Sequence, residues 1–311
     1  MMVKVVHGLQ GVPGEQRGIA LGVFDGVHLG HQALIASLIE VCRKIGLRPA
    51  ALTFSYEGGF GFDRRPLGHE FIMTDEEKLK ALGKTGLEEI FLVPLADEFL
   101  HLSPAAFLDE VVVGTLGGQV LAIGEDGHFG WRGQGDAAFL ESYGAPRGLR
   151  SLIVQDVLWE GDKVSSSRIR ALLADGRVDQ ATTMMTRPFS LTGTIIRGRR
   201  LGSSIGFPTA NFRYPERSVR IRNGVYRTRV TWDGGEYEAV TNVGIAPSVH
   251  RDRRETLVES FLYDFDGELY GETITTSFLS FVRPEKRFDS LEELKRQIDD
   301  DIETVRALGR V

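Results

Sequence analysis

The spacing of apolar positions changes once along the chain, and the two parts predict different folds. In the first part, short continuous apolar runs alternate with helical stripes. Ile19-Ala20-Leu21-Gly22-Val23-Phe24 is an unbroken run of strand length, the pattern of a strand buried on both faces. Gly26 and Gly30 interrupt it. Leu34, Leu38, Val41, Cys42 and Ile45 then recur on one helical stripe, and Gly46 supplies a stop. A second strand follows over 48–54, so the first unit is βαβ, with parallel strands and a right-handed crossover. A helix over 75–84, a strand over 89–93, a helix over 104–115 and a strand over 119–123 continue the alternation. This predicts an α/β doubly wound domain over residues 1–184.

Past Pro188 the pattern is β-rich and punctuated by turns. Runs over 225–232 and 236–243 flank Asp233-Gly234-Gly235, a hairpin signature. Runs over 257–264 and 268–278 flank Asp266-Gly267, which predicts a second hairpin. The expected fold of residues 185–311 is a small antiparallel β-barrel. A C-terminal helix closes it, with Leu291, Leu294, Ile298, Ile302 and Val305 on its apolar stripe. Ser290 and Glu293 form its expected capping box. The boundary is expected at 184–187.

Composition narrows the class. With 311 residues the chain has room for two domains, and 42% hydrophobic with 26% charged residues is ordinary for a folded protein. No apolar run reaches the roughly 20 residues of a membrane span. The lone cysteine, Cys42, excludes an internal disulfide and a cysteine-based zinc cluster. With no signal-peptide pattern at the start, a cytoplasmic protein is expected. A net charge of −6 argues against nucleic acid as a partner.

Candidate chemistry first appears in Gly22-Val23-Phe24-Asp25-Gly26-Val27-His28-Leu29-Gly30-His31. A turn from a parallel strand into a helix is where open α/β sheets bind ligands. The helix start offers unpaired N–H groups to phosphate. Two histidines three apart can donate to phosphate oxygens during group transfer. Two surface histidines, or a metal pair, are the competing readings. Further on, Ser165-Ser166-Ser167-Arg168 before a helix combines capping hydroxyls with charge for phosphate.

These segments resemble the adenylyltransferase half of bacterial bifunctional riboflavin kinase/FAD synthetases, within the HxGH nucleotidyltransferase superfamily. The resemblance implies that His28 and His31 are catalytic. It implies that Phe24, Asp25, Gly30, Ser166, Ser167 and Arg168 serve ATP and its phosphates. Asp126, in Gly124-Glu125-Asp126-Gly127-His128-Phe129-Gly130, would contact flavin, while Gly127 replaces a usual aromatic residue. One element departs: Thr53-Phe54-Ser55-Tyr56-Glu57-Gly58-Gly59 stands where the family has Thr-Phe-x-Pro-His-Pro.

A second site is expected in residues 193–211. Gly198, Gly202 and Gly206 make a loop able to fold over phosphates, with Arg197, Arg199 and Arg200 nearby. After Pro208 the chain should be extended, which puts Thr209 and Asn211 on one face. Both offer hard oxygens that suit Mg²⁺. A plain glycine-rich surface loop reads equally well from these residues alone.

Gly-Phe-Pro-Thr-Ala-Asn at 206–211 is followed by Gly224-Val225-Tyr226, Asn242-Val243-Gly244, Asp264–Gly271 and Arg283-Pro284-Glu285. That order resembles riboflavin kinases. The resemblance implies that Gly202, Gly206, Pro208, Thr209 and Asn211 hold Mg–ATP. It implies that Asn242 and Arg283 contact flavin and that Glu259 is the general base. Phe261 stands where a histidine is common. The implied activity is riboflavin to FMN, then FMN to FAD with release of pyrophosphate. A kinase with a weakened adenylyltransferase half is the alternative, because of the missing Pro-His-Pro. A flavin sensor without turnover would not need Glu259.

Overall fold

The computed structural model describes residues 3–9, 15–55, 70–94, 101–196, 207–233, 235–247 and 254–308. The chain divides into two compact units, residues 1–166 and 167–311.

The first unit is built on a six-stranded, all-parallel sheet. Its order is β1 (Lys4–His7), β4 (Glu89–Pro94), β3 (Arg48–Ser55), β2 (Arg17–Leu21), β5 (Gly118–Gly124) and β6 (Arg150–Val154), and a short antiparallel pair, β7 (Leu158–Trp159) and β8 (Asp162–Lys163), follows it. Both faces are covered, which explains the unbroken apolar runs. Ile19, Leu52 and Leu121 pack under α3 (Pro104–Ala106), its continuation as a π-helix over Phe107–Thr115, and α4 (Ala137–Gly144). Ala20, Ala51 and Val120 face α1 (Leu29–Ile45) and α2 (Asp75–Gly83). Gly46 closes α1 at φ +73°, as its position after the stripe predicts.

Two expectations change in detail. The strand expected over 19–24 is β2, and it stops at Leu21, because Phe24 turns into the core at φ +53°. The expected helix over 104–115 is mostly π-helical; the Leu116 N–H donates to Val111 O (2.9 Å), five residues back.

The second unit opens with α5 (Ser166–Ala174) and α6 (Val178–Met185). These helices join the barrel's unit, and Arg222 N–H donates to Leu173 O (3.2 Å). The barrel runs β10 (Ala210–Arg213), β13 (Arg254–Leu262), β12 (Gly235–Pro247), β11 (Gly224–Trp232), β14 (Thr273–Pro284) and β9 (Phe189–Thr194), antiparallel throughout. A bridge from Ile196 N–H to Asn211 O (2.8 Å) links its ends. Phe189, Phe212, Tyr226, Val258 and Phe278 fill the interior.

The second expected hairpin does not form. β13 and β14 are not neighbours; β14 pairs with β11 instead, which makes a Greek key. The Asp266-Gly267 turn belongs to the long return connection. Phe265 sits edge-on to the stacked Trp232 and Tyr237 (5.5 and 5.4 Å), which ties that connection to the β11–β12 hairpin.

Outside the barrel, α7 (Leu291–Leu308) buries Ile302 and Val305 against Val225, Val240 and Tyr263. Leu291, the first position of the expected stripe, is exposed. Ser290 Oγ accepts from Glu293 N–H (3.1 Å), but the Glu293 carboxylate takes the Asp289 N–H rather than that of Ser290.

The amino-terminal edge of the parallel sheet holds a buried charge network. Arg17 is fully buried; its Nε donates to Glu89 (2.6 Å), Nη1 to Leu116 O (2.9 Å), and its remaining nitrogen pairs with Glu15. Glu89→Ala removes the buried partner of a cation that cannot leave. We expect a loss of about 3 kcal/mol, read as a lower urea midpoint for this unit.

Candidate active sites

The chain runs outward from β2 to β3 and β4, then returns across the sheet to β5. The switch point therefore lies between the carboxyl ends of β2 and β5, where open α/β sheets take ligands. The Gly22–His31 turn leaves one of these strands, and the Gly124–Gly130 loop leaves the other.

The turn is strained and strongly braced. Phe24 (φ +53°) and Val27 (φ +35°) occupy the left-handed region, at a cost of about 1–3 kcal/mol each. Asp25 is buried, and its carboxylate accepts the Ile72 N–H (3.1 and 3.2 Å). Thr53 Oγ1 donates to Val23 O (3.1 Å), Gln32 Nε2 to Val27 O (2.9 Å) and Ser166 Oγ to Asp25 O (2.8 Å). The product of this bracing is a histidine pair at the start of α1. His28 is the N-cap, and its Nδ1 accepts the His31 N–H (3.4 Å). An imidazole accepting through Nδ1 carries its proton on Nε2, so His28 is set as a donor there. The two rings stack at 3.6 Å, with Phe24 edge-on to His31. A side chain at Gly30 would press on the His28 ring (3.2 Å), so glycine keeps this stack clear.

The remaining candidates in this region take separate places. Ser166 reaches the turn through Asp25 O, while α5 starts at Ser166, so Ser167 and Arg168 lie inside its first turn. Asp126 is exposed and pairs with Lys163 (2.5 Å), which also holds Asp156 (2.7 Å). Burial works against the Lys163 charge, but the two carboxylates outweigh it and raise its pKa.

In the barrel, strand register assembles the second site. Asn211 pairs with Glu259, Glu259 with Asn242, Asn242 with Val225, and Val225 with Arg283. Directly paired residues share a face, so these five form one row across the barrel's outer surface. Asn242 Nδ2 donates to Glu259 Oε2 (3.4 Å). Burial raises the Glu259 carboxyl above the usual range; the Asn242 amide opposes this, and the Glu285 charge adds to it. Glu285 lies against Gly244, where a Cβ would overlap its carboxylate, and it accepts from Asn223 (3.1 Å). Asn211 is buried, and its Oδ1 accepts no hydrogen bond among the described residues. A buried, unsatisfied carbonyl oxygen fits a hard cation, with the Thr209 hydroxyl two residues earlier in the chain. No cluster of three or more His, Cys, Asp or Glu that could hold a metal occurs among the described residues. Pro208 is exposed just ahead of β10, while Gly202 and Gly206 lie outside the described residues.

Arg283 ends the row in a two-pronged pair with Asp301 of α7 (2.7 and 2.6 Å). Asp301 is buried and also accepts from Gln297 (3.2 Å). Phe207 meets Phe261 edge-on at 5.4 Å beside the same helix. The motifs did not single out Asp301, which sits in an Asp299-Asp300-Asp301 run. Its signal was its place three residues after Ile298, beside the apolar stripe.

Residues 14–168 match the FAD synthetase family model, and residues 185–308 match that of riboflavin kinase. A bifunctional riboflavin kinase/FMN adenylyltransferase of Pseudomonas fluorescens is 34% identical over 309 residues, spanning 99% of this chain and 98% of its own. The chain belongs to this bifunctional family. A relative of the same description from Escherichia coli (strain K12) is 33% identical, spanning 98% of this chain and 96% of its own. A solved structure from Streptococcus pneumoniae, described as a macrolide-efflux protein, matches with a TM-score of 0.85 and 28% identity, covering 98% of this chain and 99% of its own. Among the residues described here, no helix is long and apolar enough to cross a membrane. In this bifunctional transferase, helices α5 and α6 fall almost wholly between the segments matched by the two family models.

Arg283→Ala strips a buried Asp301 of its cation. We expect a loss of about 3 kcal/mol, localised to α7 as faster amide hydrogen exchange there than in β11 or β12.

Proposed function

We propose that the barrel phosphorylates the riboflavin 5′-hydroxyl with ATP, and that the parallel-sheet domain then adenylylates the product, FMN, to FAD. The observation that carries the first half is the row Asn211, Glu259, Asn242, in register on three adjacent strands. Family membership carries the second half, together with the braced histidine pair at the switch point.

In the kinase step, Glu259 takes the proton of the 5′-hydroxyl as its oxygen attacks the γ-phosphorus and the bond to ADP breaks. Asn242 fixes the carboxylate that receives the proton. Asn211 and Thr209 bind the metal, and Mg²⁺ held there would neutralise and orient the nucleotide phosphates. We assign Gly202, Gly206 and Pro208 to those phosphates as well. Asn242 and Arg283 face the flavin.

In the adenylyl step, an FMN phosphate oxygen attacks the α-phosphorus of ATP, and pyrophosphate leaves. His28 and His31 stabilise the charge that builds on the phosphates. Phe24 and Asp25 hold the turn, Gly30 admits the nucleotide, and Ser166, Ser167 and Arg168 serve its phosphates from the start of α5. Asp126 sits at the flavin end. We assign residues 1–184 to this activity and 185–311 to the kinase. The lone cysteine and the use of ATP support a cytoplasmic reading.

Purified protein given riboflavin, Mg²⁺ and excess ATP should yield FAD, resolved by chromatography. Accumulation of FMN alone would overturn the adenylyl assignment. Glu259→Gln should lower FMN formation by about 10²-fold or more and leave FMN-to-FAD conversion intact. His28→Ala should do the reverse, by about 10²-fold.

The pH profile is a separate check. Glu259 must be ionised to act, and its pKa is raised. The acid limb of kcat/KM for riboflavin should therefore lie above the ordinary glutamate value of about 4.3. Glu285→Gln should move the limb to lower pH, and Asn242→Ala should move it higher. Movement in the opposite directions would exclude Glu259 as the base.

A further inference from the structure

A buried cation that the scheme above does not use sits beside the Gly22–His31 turn. Lys78, near the start of α2, is fully buried. Its ammonium donates to Phe54 O at the end of β3 and pairs with Asp75 Oδ1 (3.0 Å). Asp75 is also buried and takes the Ser55 hydroxyl on its other oxygen (2.6 Å). The segment just before α2 grips the neighbouring turn, since Ile72 N–H donates to the Asp25 carboxylate. One short stretch, 72–78, thus holds the carboxyl ends of β2 and β3 together.

Stability alone gives no reason for a charge here. Burying an ammonium costs several kcal/mol, and a residue of similar length without charge would fill the space. Burial presses the Lys78 pKa down, while the charges of Asp75 and Asp25 hold it up. The ammonium does what an apolar side chain cannot. It fixes the Phe54 carbonyl through a hydrogen bond, and its charge acts on Asp25, which the Ile72 N–H holds and whose turn carries two strained residues and leads into the histidine pair.

We propose that Lys78 is a positioning residue for adenylyl transfer: its buried ammonium locks the Phe54 carbonyl and the Asp25 turn, so that His28 and His31 meet the ATP phosphates in one geometry. This rests on reading the parallel-sheet domain as the adenylyltransferase. Small misplacements of catalytic groups cost rate far more than they cost binding.

The test uses the full chain, whose riboflavin phosphorylation serves as an internal control. Lys78→Met should lower kcat for FMN-to-FAD conversion by about 10²-fold, with KM for FMN and ATP within about threefold and FMN formation unchanged. In a double-mutant cycle with Asp25→Asn, the two losses should not add, because both act through one turn. A kcat within about twofold of wild type, or additive losses, would overturn the proposal. So would a loss carried by KM, or by failure of the variant to bind ATP and FMN at equilibrium, since either marks a packing role. Wild-type FAD formation checks the underlying reading separately. Its absence overturns both, whereas wild-type turnover with an unaffected Lys78→Met overturns only this proposal.

Discussion

Register in the barrel is the constraint on which the proposed kinase site depends. Asn211, Glu259 and Asn242 are adjacent because three strands pair in the register that sets those residues opposite one another. Their sequence neighbours Phe212, Val258 and Val243 point inward and are fully buried. A slip of one residue would send the carboxylate into the core and phenylalanine into the site. Interior packing therefore specifies the site. The same packing includes a hydroxyl chain, Thr228 to Thr241 (2.6 Å) to Ser260 (2.8 Å), that runs across three strands inside the barrel. Because the three hydroxyls satisfy each other only in this register, they add a polar penalty to any slip.

The site proposed for adenylyl transfer obeys a different rule. No ladder sets its histidines; a turn between a strand and a helix does, and that turn occupies backbone regions that cost energy. The bracing comes from four directions: Ile72, Thr53, Gln32 and Ser166. Strain of this kind persists only where surrounding bonds overdetermine it. The turn's hydrogen bonds are thus the counterpart of the barrel's register. They convert global packing into local placement of a few polar atoms.

The sequence was most legible where one periodicity or one motif settles the matter. The parallel domain followed from alternating runs and stripes, and Gly46 marked the end of α1. Asn211, Asn242 and Arg283 of the barrel row lay in motifs that could be quoted in order, whereas Glu259 came only with the resemblance. The second hairpin was misread because Asp266-Gly267 has good turn chemistry, whereas partner choice depends on contacts far away in sequence. Phe265 meeting Trp232 and Tyr237 is such a contact. The early end of β2 was hidden likewise, since Val23 and Phe24 are apolar and nothing local announces a left-handed φ. Asp301, marked only by its place beside the α7 stripe, and Lys78 were hard to read for another reason. A charged residue on a helix normally faces water, and burial by other elements is a tertiary fact.

These buried charges share one logic. Arg283 with Asp301 joins the end of the kinase row to α7. Lys78 and Asp75, paired within α2, join that helix to the end of β3 through the Phe54 carbonyl and the Ser55 hydroxyl. In each case a helix that supplies little chemistry itself is fastened to a strand end that supplies much. Apolar contact would hold such a helix equally well but would permit sliding, because dispersion and burial are non-directional. A charged hydrogen bond in a dry setting tolerates little displacement before its partners are left unsatisfied. Buried ion pairs therefore contribute little net stability here but contribute alignment, at the places where phosphate chemistry needs it.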